Sequence, residues 1–155
     1  MVYKVNINYD DIVAKEQLVI NYGAKFSDFF TVLVIIKRPY SQNPPVFNYD
    51  NLLNPFITKY IFEKHDWLVS FLGQLKHQIM IVCRCCKECR KALEEMPNLF
   101  LSPENNVPED ICFYRGGKPW FATITHEKMA FMMTATKDDL NFLQQNKIGY
   151  HIECN

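Results

Sequence analysis

Glycine is scarce in this chain, five residues in 155, and none falls in a G-x-G-x-x-G, P-loop or G-x-S-x-G pattern. Those motifs need glycine because the backbone must turn tightly and come close to a phosphate or a nucleophile. Nucleotide-cofactor and α/β-hydrolase chemistry therefore have no support. An excess of charge of one sign is also missing: 17 Lys and Arg balance 17 Asp and Glu, so no net field draws the molecule to nucleic acid or anionic lipid. No long apolar run is present either. The strongest, Phe29 to Ile36, falls far short of the roughly 20 residues that a membrane helix needs, and the start, Met1-Val-Tyr-Lys-Val-Asn6, has no apolar stretch of signal-peptide length. These absences lead us to expect a cytoplasmic protein with neither nucleic acid nor membrane as partner.

What is present is the composition of a packed globule: 48% hydrophobic, 14% aromatic and 22% charged residues. The length suits a single domain over residues 1–155 that buries its core without disulfides or metal. Six cysteines occur, four of them between Cys83 and Cys89. A chain of this size needs no staples, so reduced thiols are expected.

Alternation of Val5, Ile7 and Tyr9, and the short run Leu18 to Ile20, predict one or two strands near the start. Ser27-Asp28 reads as a helix cap, giving a short helical turn that leads into a strand through Ile36. Arg38 to Val46 is a proline-broken connection. Leu52, Leu53, Phe56, Ile57 and Tyr60 recur at helical spacing, which predicts an amphipathic helix of about three turns with Pro55 in its first turn. Trp67 to Leu72 is an apolar run closed by Gly73. His77 to Cys86 is apolar on both faces and reads as a central strand, Lys87 to Met96 as a charged helix ended by Pro97, and Leu99 to Val107 as a polar loop. The last third reads as a hairpin (Ile111 to Arg115, Gly116-Gly117, Lys118 to Ile124), a strand through Met129, Phe131 and Met133, a helix opened by the capping-box-like Thr136 to Asp139, and a closing strand from Ile148 to Cys154. Strands and helices do not alternate regularly. The expected class is therefore α+β, a mainly antiparallel sheet of about five to seven strands carrying about three helices.

Closing the hairpin at Gly116-Gly117 without irregularity sets Phe113 opposite Trp120, so Ile111, Phe113, Trp120, Ala122 and Ile124 share the core face. Cys112, Tyr114, Phe121 and Thr123 then form the other face, which is unusually aromatic for a solvated surface and calls for a covering helix, a ligand or a partner.

Two groups of residues suggest chemistry. Cys83, Cys85, Cys86 and Cys89 are spaced closely enough for zinc, but a continuous strand cannot direct four thiolates at one tetrahedral centre. Cys86-Lys-Glu-Cys89 is also a CxxC at a helix start, flanked by Arg84, Lys87, Arg90 and Lys91, where a thiol can acidify. Against both stands the ordinary role of cysteine as a small buried hydrophobe. His126-Glu127 is a titratable pair at a strand end, without the second histidine of a zincin. The adjacent carboxylates Asp10-Asp11, Glu94-Glu95 and Asp138-Asp139 diverge on any regular element and read as solvated charges.

The run from Pro108 to Glu127, PEDICFYRGGKPWFATITHE, resembles a segment of small bacterial proteins from spore-forming and related species, some of them labelled stage III sporulation protein AH. The resemblance covers about a quarter of the chain, and implies no catalytic residue. Taken together, these readings favour a non-enzymatic binding or interaction protein, regulatory or of immunity type, that needs no cofactor and takes another protein as partner. Tyr114, Phe121, His126 and Glu127 are its candidate binding residues. The alternative is a small metal- or thiol-dependent enzyme using the Cys83 to Cys89 cluster, with zinc as the metal, or His126.

Overall fold

A computed structural model describes residues 1–37, 47–63, 76–96, 99–101 and 107–153. Its strands are β1 (Tyr3–Ile7), β2 (Phe29–Lys37), β3 (Ile57–Glu63), β4 (Lys76–Arg84), β5 (Pro108–Arg115), β6 (Lys118–Ile124), β7 (Met129–Ala135) and β8 (Tyr150–Ile152). All eight join one sheet in the order β3-β4-β2-β5-β6-β7-β1-β8, and every neighbouring pair is antiparallel. The α-helices among the described residues are α1 (Tyr9–Ala14), α2 (Glu16–Lys25), α3 (Asp50–Leu53), α4 (Lys87–Glu94) and α5 (Lys137–Gln145). The α+β class and the antiparallel sheet are as expected. The eight strands and five helices exceed the expected numbers.

Period-two alternation divides the sheet into two faces. Phe30, Val32 and Val34 of β2, Ile79, Ile81 and Cys83 of β4, and Ile111 and Phe113 of β5 are almost wholly buried on one of them. Each such side chain contributes about 1.5–3 kcal/mol by leaving water. Helix α2 lies on this face so closely that a Cβ on Gly23 would stand 2.5 Å from the Phe113 ring. Only glycine allows that approach. Tyr22 of α2 stacks on Phe142 of α5 with centroids 3.7 Å apart, which ties the C-terminal helix into the same layer.

Three local expectations are corrected. Leu18 to Ile20 is helical, because Asn8 caps α1 by accepting from the Asp11 amide at 3.0 Å and Val19, Ile20, Gly23 and Ala24 then bury one helical face of α2. No helical turn precedes β2: the Ser27 hydroxyl donates to the Gly23 carbonyl at 2.7 Å and Asp28 accepts from the Gly116 amide at 2.6 Å, so both are engaged away from a cap. The three-turn helix over Leu52 to Tyr60 shrinks to α3 and a 3-10 turn, Asn54–Phe56, before β3. Pro55 removes a donor, and Ile57, Thr58 and Ile61 favour the extended chain. The connection over 38–46, the Trp67 to Gly73 run and Pro97 lie outside the described residues, as does most of the loop before Val107.

The hairpin turn forms as expected, with Gly116 and Gly117 at φ 57° and 74°, both positive as a primed turn requires. Its register differs. Tyr114 pairs with Pro119, but Phe113 pairs with Phe121 and Cys112 with Ala122. The extra residue is Trp120, and at such a bulge two successive side chains face the same way. Trp120 and Phe121 are both buried, at 0% and 1% exposure.

Candidate functional site

The bulge separates Phe121 from the other three residues expected to form a binding site. Phe121 leaves the aromatic outer face for the core, stacked on Phe113 at 5.9 Å between centroids, and Thr123 follows it inward. Tyr114 stays on the far face, stacked on Phe29 at 4.4 Å. His126 and Glu127 sit on the 3-10 turn Thr125–Glu127 after β6, more than half exposed. The imidazole is 3.9 Å from Asp110 and 3.7 Å from Glu127, too far for hydrogen bonds.

A different surface emerges where Tyr114 lies. One row of cross-strand partners runs Val82, Thr31, Cys112, Ala122, Phe131 across β4, β2, β5, β6 and β7. It ends in polar residues on both sides: Lys59 on β3, and Asn6 and His151 on β1 and β8. Met80 and Leu33 are partners in a neighbouring row. These side chains face away from Phe30, Val32, Ile79 and Ile81, and away from α2. The first row is thus apolar at its centre and polar at its ends, with most of its large side chains half-buried, while the neighbouring row continues from Leu33 to the buried carboxyl of Glu109. Leu33, Met80, Cys112, Tyr114 and Ile124, with the carboxylate of Asp110, are among the residues that line a concavity of about 300 Å³. Burial raises both the Cys112 thiol and the Tyr114 hydroxyl above their ordinary ranges, as a poorly hydrated floor requires. Apart from Tyr114 and Cys112, these residues escape a motif search because they belong to no motif. The available signal is that β2 and β4 are apolar on both faces, a pattern of strands covered on both sides.

In the cysteine cluster the CxxC stands at a helix start, as expected. β4 ends at Arg84, the Cys85 amide donates to the Asp28 carbonyl at 2.9 Å, and Cys86 caps α4 with its sulfur accepting from the Cys89 amide at 3.4 Å. Cys83 and Cys89 are fully buried and all four thiols are free. Burial, reinforced by the neighbouring thiols, pushes Cys85 and Cys89 up to about 12 and Cys83 higher still. Neutral thiols at those positions are poor nucleophiles at ordinary pH. Among the described residues no group of three or more His, Cys, Asp or Glu side chains is arranged to hold a metal ion.

Two carboxylates stand out in ways the sequence does not signal. Asp139, read as solvated, is buried and gathers donors from three elements. Glu109 on β5 is 4% exposed and its Oε2 has no hydrogen-bond partner. Burial, and secondarily the charge of Asp110, lifts its carboxyl to about 7, above the roughly 4.3 of an unfolded chain. The folded state therefore holds the proton through that window, and the stability associated with it is lost as pH rises through the folded value. Glu109→Gln is expected to leave the melting temperature almost unchanged at pH 5 and to raise stability at pH 8 by on the order of 2 kcal/mol. Parallel melts of both proteins from pH 5 to 8 check this, and identical pH profiles would count against the assignment.

Comparison with family models, curated proteins and solved structures returned no match. The fold and site define an open antiparallel α+β sheet with one helix-covered face and one apolar face bordered by polar residues. No helix among the described residues is long and apolar enough to cross a membrane.

Proposed function

We propose that this chain is a non-enzymatic interaction protein, regulatory or of immunity type, that receives another polypeptide on the sheet face opposite the described helices. The observation that carries this reading is the apolar row centred on Thr31, Cys112 and Ala122, bounded by Lys59, Asn6 and His151. An apolar centre with a polar rim is the anatomy of a protein interface, and the half-buried Leu33, Met80, Cys112, Tyr114 and Phe131 are the apolar side chains it offers. Tyr114 is retained from the expected site as an aromatic anchor. Phe121 belongs to the core, and His126 stands 3.9 Å from Asp110, a residue of the concavity's lining.

A photo-crosslinking amino acid at Met80 tests the reading, with the same probe at exposed Lys118 as control, in cells that express the protein. Discrete polypeptide adducts are expected from position 80 and not from 118. Adding Met80→Asp to a protein carrying the probe at Leu33 is expected to abolish adducts there while the melting temperature holds. Equal labelling from both positions, or none from position 80, would refute it.

A further inference from the structure

On the other side of the molecule the helices enclose a second concavity, about 430 Å³, between α2 and α4. Its α2 wall presents Leu18, Asn21, Tyr22 and Lys25, and its α4 wall Lys87, Arg90, Lys91 and Glu94. Both sets follow i, i+3, i+4, i+7, so each wall is one continuous helix face about 10 Å long. Phe142 of α5 joins Leu18 and Tyr22 in an apolar floor, and Leu18 is 42% exposed.

The charge in this groove is unbalanced. Lys25, Lys87, Arg90 and Lys91 line it against the single carboxylate of Glu94, although the whole chain is neutral. Among the described residues none of the four cations reaches a carboxylate within ion-pair distance. Three of them occupy adjacent positions on one turn of α4, offset only in part by the intrahelical carboxylates Glu88 and Glu94. An occupant that supplies negative charge along one edge and an apolar ridge along the other would relieve both features.

We infer that the α2–α4 groove is a docking site for an acidic, amphipathic helical segment of a partner protein, whose carboxylates meet Lys87, Arg90 and Lys91 and whose apolar residues cover Leu18, Tyr22 and Phe142. Groove and ligand have matching periodicity, since apolar anchors at i, i+3 and i+4 are what a helix in a groove offers. The groove lies open to solvent along its length, whereas small-molecule sites enclose most of their ligand. Its short, aromatic-floored basic edge is also unlike the extended basic stripe that follows a nucleic-acid backbone. This site is separate from the sheet face, and does not rest on that reading.

The test measures binding of a synthetic helical peptide bearing glutamate and leucine on adjacent faces, alongside the same peptide with glutamine for glutamate and an oligonucleotide of equal charge. The acidic peptide is expected to bind, with affinity falling as salt rises. The triple variant Lys87→Glu, Arg90→Glu, Lys91→Glu is expected to weaken it roughly tenfold or more, and Leu18→Ala by roughly threefold to tenfold. If the triple reversal disturbs folding, the corresponding glutamine triple replaces it. Met80→Asp, on the opposite face, leaves peptide binding unchanged, so failure here and failure of the sheet-face proposal are distinguishable. Absence of binding, equal binding of the glutamine peptide, tighter binding of the oligonucleotide, or indifference to the α4 substitutions would each overturn the inference.

Discussion

Replacing Asp139 by alanine is expected to lower the melting temperature by roughly 10 °C, corresponding to about 3–5 kcal/mol. The Asp139 side chain is 1% exposed and accepts two hydrogen bonds from Arg115, both at 3.1 Å, one from the Tyr22 hydroxyl at 2.9 Å, and others from the Thr136 amide and hydroxyl at 2.7 and 2.8 Å. One carboxylate thus joins the hairpin, α2 and the start of α5. Burial alone would raise its pKa, but the Arg115, Thr136 and Tyr22 donors outweigh that and hold it below the usual carboxylate range. Its contribution is therefore present above the unfolded carboxylate value and is lost as pH falls through the folded one. Thermal melts of Asp139→Ala and Asp139→Asn at neutral and acid pH check this. The variants and the parent should converge at low pH. Because removing one partner strands the other, Arg115→Met with Asp139→Leu is expected to cost less than the sum of the single changes. A loss of only a degree or two in Asp139→Ala would show that the network is not structural.

The second large effect separates the two hairpin registers. With Trp120 as the bulged residue, Trp120→Ala and Phe121→Ala are each expected to cost about 3–5 kcal/mol, since both side chains are fully buried. In a regular two-residue hairpin their faces would differ, and Phe121→Ala would be a mild surface change. The indole of Trp120 also donates to the Ser27 hydroxyl at 2.8 Å and lies beneath the Arg115 guanidinium at 3.9 Å. Trp120→Phe keeps most of the apolar area but loses the hydrogen bond, so it should fall between the parent and Trp120→Ala, near 1–2 kcal/mol. Urea unfolding of the three variants measures all of this. A near-neutral Phe121→Ala would restore the regular register.

That register explains why the expected site was only partly legible. Counting outward from Gly116-Gly117 assumes a pairing without irregularity, and a single inserted residue exchanges the two faces beyond it. Tyr114 lies before the bulge on its own strand and keeps its face, whereas Phe121 and Thr123 lie after it and change theirs. His126 and Glu127 are correctly placed at a strand end, where the 3-10 turn leaves them more than half exposed, with His126 beside Asp110 at the edge of Tyr114's concavity. The α2–α4 groove was hidden for another reason. The run Leu18 to Ile20 reads as a possible strand, and only as part of α2 does Leu18 share a face with Tyr22 opposite Lys87, Arg90 and Lys91.

By itself the sequence determined the elements whose signals are local. The glycine pair turns the hairpin because its φ values are positive. Thr136 and Asp139 form a reciprocal capping box at the start of α5, and the strand from His77 and the helix from Lys87 follow from composition. The tertiary structure alone decided what depends on distant partners. It made Leu18 to Ile20 helical over Phe113, and it turned the residues after Pro55 into an edge strand against β4. It also buried Asp139 beneath Arg115, when an adjacent pair of carboxylates looks the same in sequence whether or not a guanidinium waits across the fold. Local preferences amount to tenths of a kcal/mol per residue, whereas a buried side chain or a satisfied buried charge carries several, so where the two conflict the long-range contact prevails.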